Sequence, residues 1–253
     1  MIADLLAEGD ALAAATAGAQ LSTPTPAAGW SIGHQLAHLA WTDEQCLLAV
    51  ADPPRFQAEV IAAAVADPRH FVDRAAEAGA RRPDLRDRWH RHRRALAAAL
   101  AQADPDGPIG WFGPPMSPTS MATARLMETW AHGQDVHDAL GREAPATDRL
   151  RHIAHLGVRT RAFAYHVRGE TPPDEPVRVE LVGPSGDRWV FGPADSSQRV
   201  EGPARDFCLL VTRRRHRDDL ALRAHGPDAE HWLDIAQCFA GPPGDGPQPR
   251  GRR

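Results

Sequence analysis

Met116 to Gly141 reads MSPTSMATARLMETWAHGQDVHDALG, an unbroken helical pattern between two punctuation marks. Ser117 followed by Pro118 suits an N-cap and first helical position, and Gly141 suits the residue just past a helix end. Inside the segment Glu128 and His132 stand four residues apart, close to one turn. They therefore project from one face, with Asp135 a further turn along it. Leu126, Trp130 and Leu140 form an apolar seam, while Met121, Ala124 and Ala139 flank the polar stripe on nearly the opposite side. Apolar or small residues on both sides predict an interior bundle helix whose polar stripe faces inward.

A second segment, SIGHQLAHLA from Ser31 to Ala40, supplies a third polar group of the same chemistry. Trp30 and Ser31 read as staple and N-cap of a helix from about Ile32 to about Val50, which carries His34 and His38. His38, Glu128 and His132 together make two imidazoles and one carboxylate, a catalytic zinc ligand set that keeps a fourth position open. Glu128 and His132 alone also fit a surface hydrogen-bonded pair. His38 on another helix, and the low polarity around the stripe, favour the metal, because a carboxylate buried without one is costly. His34 reads as a partly exposed side chain near a helix start rather than a fourth ligand. Asp135 has two readings of equal weight, a carboxylate that orients a ligand imidazole or an ordinary helix-surface acid.

Composition narrows the chemistry. The chain has 253 residues, 42% of them hydrophobic, enough to fill a core without staples, and a formal charge of −4. That charge offers no positive field for nucleic acid or an anionic membrane. There is no lysine, which excludes Schiff-base lysine and Walker-lysine mechanisms. Cys46, Cys208 and Cys238 are far apart, odd in number and show no CxxC spacing, so neither a disulfide framework nor a cysteine zinc site is indicated and a reducing, cytoplasmic setting fits; Cys46 reads as a core residue. The first residues, MIADLLAEGD, are acidic where a signal peptide is basic, and no apolar run approaches the roughly 20 residues of a membrane span. No GxSxG elbow, GxGxxG or P-loop is present. The basic run from Arg88 to Arg94 reads as a solvated helix face, and the denser Arg213 to Arg217 either as the same or as a grip for carboxylates. The expected partner is a small molecule, with no nucleic acid and no membrane; the oligomeric state is left open.

Along the chain, a first helix ends before the proline-containing loop LSTPTPAAG. Residues 55 to 103 read as helical in two pieces, the stronger being RDRWHRHRRALAAALAQAD. Asp104 to Pro118 is too rich in proline and glycine for regular structure, yet carries Trp111 and Phe112, which suits a surface loop or a site rim. A helix is expected from Thr147 to about Val167, then a hairpin of VRVELVG and DRWVFG, a helix through DFCLLVT, a strand near LALRA and a last helix DAEHWLDIAQCFAG. The fold class is α+β: a four-helix-type bundle over residues 1–169, a small α+β domain over 170–241, and a disordered tail over 242–253.

The HxxxHLA of His34 to Ala40, with ExxxHGQDVxDALG from Glu128 to Gly141, resembles the DinB-like metal-binding bundle and, more closely, the maleylpyruvate isomerase family of mycothiol-dependent enzymes. Gly202 to Gln237 is similar to a wyosine-base-formation-like C-terminal domain. The resemblance implies His38, Glu128 and His132 as ligands of a divalent metal, most simply zinc, and mycothiol as a thiol cosubstrate. It also implies a helping arginine in the C-terminal part, assigned to Arg214 among Arg213, Arg214 and Arg215. His137 departs from the family pattern. The expected activity is isomerisation or S-conjugation of a small electrophile. The alternatives are a thiol-independent metal-water hydrolase or tailoring isomerase, and a noncatalytic metal-stabilised binding module.

Overall fold

The computed structural model of the chain describes residues 1–250. Its contacts divide into two compact units, Met1–Ala144 and Pro145–Arg253. The first is helical. Helices α1 (Ile2–Thr16) and α2 (Ile32–Ala51) are followed by a short α3 (Pro53–Arg55), a π-helical segment (Phe56–Ile61), α4 (Ala62–Ala66), α5 (Phe71–Ala80), α6 (Leu85–Gln102) and α7 (Pro118–Ala139). α1, α2, α6 and α7 pack on one another as a four-helix bundle, with α5 laid against α2. Its core runs through Leu12, Ile32, Leu36, Leu39, Leu85, Trp89 and Val136. The approach of α5 to α2 depends on Gly79, where an added Cβ would lie 2.8 Å from Cβ of Ala37.

Both helices that carry the polar residues end as their sequences predict. Ser117 Oγ accepts from Ser120 N at 3.2 Å at the start of α7, with Pro118 in the first turn. At its end Gly141 takes φ +62°, Gly141 N donates to Asp138 O and Arg142 N to His137 O, the paired bonds of a Schellman motif. At the start of α2, Ser31 N donates to His34 Nδ1 at 3.2 Å, a histidine standing where a capping box ordinarily has Glu or Gln.

The second unit holds α8 (Leu150–Arg159), α9 (Arg161–His166), β1 (Val177–Val182), β2 (Arg188–Phe191), β3 (Gln198–Pro203), α10 (Ala204–Val211), β4 (Arg223–His225) and α11 (Pro227–Ile235). Strand order is β2-β1-β3-β4; β1 pairs antiparallel with β2 and parallel with β3, and β3 antiparallel with β4. Val179, Leu181, Trp189 and Val200 are buried, as are Phe207 of α10 and Trp232 of α11, whose rings meet edge to face at 5.8 Å. Gln198 Oε1 accepts from Asp228 N and Ala229 N, capping the start of α11 from the sheet.

Three expectations change here. The helix over Thr147–Val167 is broken at Thr160, whose hydroxyl donates back to Leu156 O at 2.9 Å and Gly157 O at 3.2 Å, a bond that competes with helix continuation. The division between units falls after Ala144 rather than after Gly169, because α8 packs on α10: an added Cβ on Gly157 would lie 3.0 Å from Phe207 and Val211. Strand β3 was not foreseen, since Gly202 and Pro203 interrupt its alternation; Gly202, at φ +151°, passes too close to Ala221 O for any side chain. Residues 242–250 carry no regular secondary structure, and the remainder of the expected tail, 251–253, lies outside the described residues. Among the described residues no helix is long and apolar enough to cross a membrane.

Candidate metal centre

The bundle brings His38 of α2 together with Glu128 and His132 of α7, so that one ligand atom from each lies within 4.8 Å of the others. Helical spacing aims the α7 pair, and the packing of α2 on α7 adds the third group. The His38 and His132 ring centroids are 4.5 Å apart, and Nε2 of His38 is 3.4 Å from Glu128 Oε2. The indole of Trp30 sits against both imidazoles, 5.5 Å from His38 and stacked at 6.1 Å on His132, while Trp41 covers His38 from 6.2 Å. Phe112, in the loop before α7, stacks on Trp41 at 6.2 Å, so the Pro/Gly-rich loop borders the site.

Beneath the trio lies a charged layer that the sequence reading missed. Arg125, only 1% exposed, reaches Glu128 Oε2 with Nη1 at 2.6 Å and Asp43 Oδ1 with Nε at 3.0 Å. Burial alone would raise the Glu128 carboxyl. The Arg125 charge, helped by the neighbouring His38 and His132 imidazoles, more than offsets it and holds the group well below the usual carboxylate range. Asp43 lies deeper, and there burial outweighs Arg125 and pushes its carboxyl up. Glu128 is thus an anion at neutral pH, as a ligand must be. A signal for Arg125 was present, three residues before Glu128 on the same helix face. Gln35, fully buried, is the other omission: its Oε1 lies 2.5 Å from Nδ1 of His132.

The other sequence candidates are placed as follows. His34 is engaged away from the trio, with Nδ1 2.8 Å from Ser31 Oγ and Nε2 2.7 Å from Glu77 Oε2 on α5. Cys46 is buried with its thiol 3.5 Å from the Met121 sulfur, and burial pushes its pKa up, so it is core and no nucleophile. Asp135 is buried on α7 and His137 is half-buried in its last turn. Arg214 belongs to the second unit, just past α10, where its Nη1 donates to Thr212 O at 2.7 Å.

The residues fit a divalent cation. They are two imidazoles and an ionised carboxylate, a donor set that holds zinc, and Nε2 of His38 meets Glu128 Oε2 at 3.4 Å, longer than an ordinary N–H···O bond.

Compared with known proteins, residues 2–137, more than half of the chain and all of the trio, match the mycothiol maleylpyruvate isomerase N-terminal domain. The chain belongs to that family. Residues 173–225, which span the four strands, match a domain described as wyosine base formation. Two uncharacterized proteins from strains of Mycobacterium tuberculosis are 57% identical over 251 residues, 97% of this chain and of each relative. A crystal structure of the mycothiol-dependent maleylpyruvate isomerase, and one of its histidine-to-alanine mutant, superpose with a TM-score of 0.56 at 16% identity, over 90% of this chain and 93% of theirs. At that identity the likeness is one of fold. Within this mycothiol maleylpyruvate isomerase family member, the matched segment is the bundle that holds His38, Glu128 and His132.

Proposed function

We propose that this protein is a metal-dependent enzyme, its metal zinc, that uses a low-molecular-weight thiol such as mycothiol to isomerise or S-conjugate a small electrophilic molecule. The observation that carries the reading is the convergence of His38, Glu128 and His132 within 4.8 Å in a chain of this family. A divalent cation held there supplies Lewis acidity, which lowers the pKa of a thiol brought to its open position. Arg125 keeps Glu128 ionised and occupies part of its Oε2, so the carboxylate presents a fixed face to the ligand position. Trp30 and Trp41 shield the imidazoles and reduce the water that competes for the open position. Arg214 neutralises a carboxylate on the substrate, a task suited to the planar guanidinium fork. A cytoplasmic location supplies the reduced thiol that this chemistry needs.

The test is elemental analysis of protein purified without chelator or affinity metal, followed by turnover assays of a thiol with small electrophiles. Wild type carries about one equivalent of zinc, as a three-ligand site does. Glu128→Ala and His132→Ala carry none and lose thiol-dependent turnover while keeping their helical circular dichroism. Metal-free wild type, or full activity in His132→Ala, overturns the reading; turnover that needs no thiol replaces it with hydrolysis or isomerisation by metal-bound water.

A further inference from the structure

The His132 ring is tied to a chain of hydrogen bonds that leads away from the ligand cluster into the loop before α2. Nδ1 of His132 lies 2.5 Å from Gln35 Oε1, Gln35 Nε2 lies 2.9 Å from Thr25 Oγ1, and Thr25 Oγ1 lies 2.9 Å from Trp30 O. Each separation is that of a hydrogen bond, so each holds a proton. A carbonyl cannot donate, so the proton in the last contact belongs to the Thr25 hydroxyl; without it two oxygens would meet lone pair to lone pair. Thr25 Oγ1 is then the acceptor in the middle contact, which places the amide nitrogen of Gln35 on that side. The amide oxygen is turned to His132, and Nδ1 carries the ring hydrogen. In the neutral ring Nε2 then keeps a bare lone pair, the form in which an imidazole binds a cation.

We infer that Gln35, oriented by Thr25, is a positioning residue that sets the tautomer and ring orientation of His132 before any ligand arrives. Gln35 is fully buried, so water does not compete for its oxygen. Trp30 closes the device from both ends: its carbonyl anchors the chain and its indole stacks on the ring that the chain holds. His38 has no such partner on Nδ1, which makes His132 the pre-set imidazole of the pair. Because the acceptor is a neutral amide, it fixes His132 without adding a charge of its own. The inference rests on the metal reading for its affinity consequence alone; the tautomer is a property of the metal-free protein.

The experiment uses the full chain labelled with 15N-histidine, with long-range 1H–15N spectra of the metal-free protein and zinc affinity by chelator competition. Wild-type His132 shows a protonated Nδ1 and a bare Nε2. Gln35→Leu keeps the volume, loses the tautomer preference and weakens zinc binding about 10- to 100-fold. Gln35→Glu, whose carboxylate also accepts from Nδ1, restores both. Thr25→Val frees the amide to turn over, loosens the preference, and carries the test if Gln35→Leu does not fold. A wild-type His132 protonated on Nε2, or a folded Gln35→Leu with tautomer and zinc affinity unchanged, overturns the inference. A protonated Nδ1 in a wild type that binds no zinc supports the relay and removes the metal reading instead.

Discussion

Replacing Arg125 by methionine tests the charged layer on which the ligand cluster stands. The guanidinium is 1% exposed and shared by two carboxylates, Asp43 at 3.0 Å and Glu128 at 2.6 Å. Methionine preserves most of the stem, so packing changes little and the loss is chiefly electrostatic. Breaking a buried pair by removing one partner costs about 3–5 kcal/mol, because the surviving charge has neither water nor a counterion. Against a total stability of about 5–15 kcal/mol, that is about a fifth or more of the folding free energy. For a chain of this size about 1 kcal/mol moves Tm by about 2–4 °C, so metal-free Arg125→Met should melt roughly 6–20 °C below wild type. Adding Asp43→Leu to Arg125→Met should recover part of the loss, since the deeper carboxylate goes with its partner. The assay is thermal and urea unfolding of chelator-treated protein, arranged as a double-mutant cycle. A single variant within about 1 kcal/mol of wild type, or two losses that simply add, would refute the buried-network account.

Two helical glycines of the first unit should respond with opposite sign. Gly79→Ala places a Cβ 2.8 Å from that of Ala37, which cannot swing aside, so it should destabilise by about 1–3 kcal/mol in urea unfolding despite alanine's better helix propensity. Gly133→Ala meets only Leu12, at 3.8 Å, and should stabilise by about 0.5–1 kcal/mol. On the surface, the hydrogen bond from Arg93 lowers the Asp10 carboxyl pKa from its ordinary 3.8. The carboxyl's contribution is therefore present above about pH 4 and lost as pH falls through the folded pKa. Asp10 is more than half exposed, so wild type should exceed Asp10→Asn by less than about 1 kcal/mol at neutral pH, and the gap should close in acid. A gap that widens in acid would contradict that linkage.

Much of the first unit was legible because its signals are local. The ends of α7 follow from Ser117, Pro118 and Gly141, which act within one turn of themselves. The aim of Glu128 and His132 follows from a spacing of four on any helix. The break at Thr160 was not legible: a threonine is compatible with a helix, and its hydroxyl bonds decided the outcome. Strand β3 was missed for a related reason. Its alternation is short, and its place between β1 and β4 comes from pairing with residues up to 26 positions away, as with Arg199 and His225.

By itself the sequence determined the helices that carry the chemistry, the donor types they carry, and the exclusion of lysine-based mechanisms, since these depend on residue identity and helical period alone. Tertiary structure decided which polar groups are buried and what they meet. Nothing in the spacing of Gln35, Thr25 and His132 announces a relay, and nothing near Asp43 announces a carboxylate sharing Arg125 with Glu128. A buried donor or acceptor costs free energy until it is paired, and its partner is whatever the packing of distant segments brings within about 3 Å.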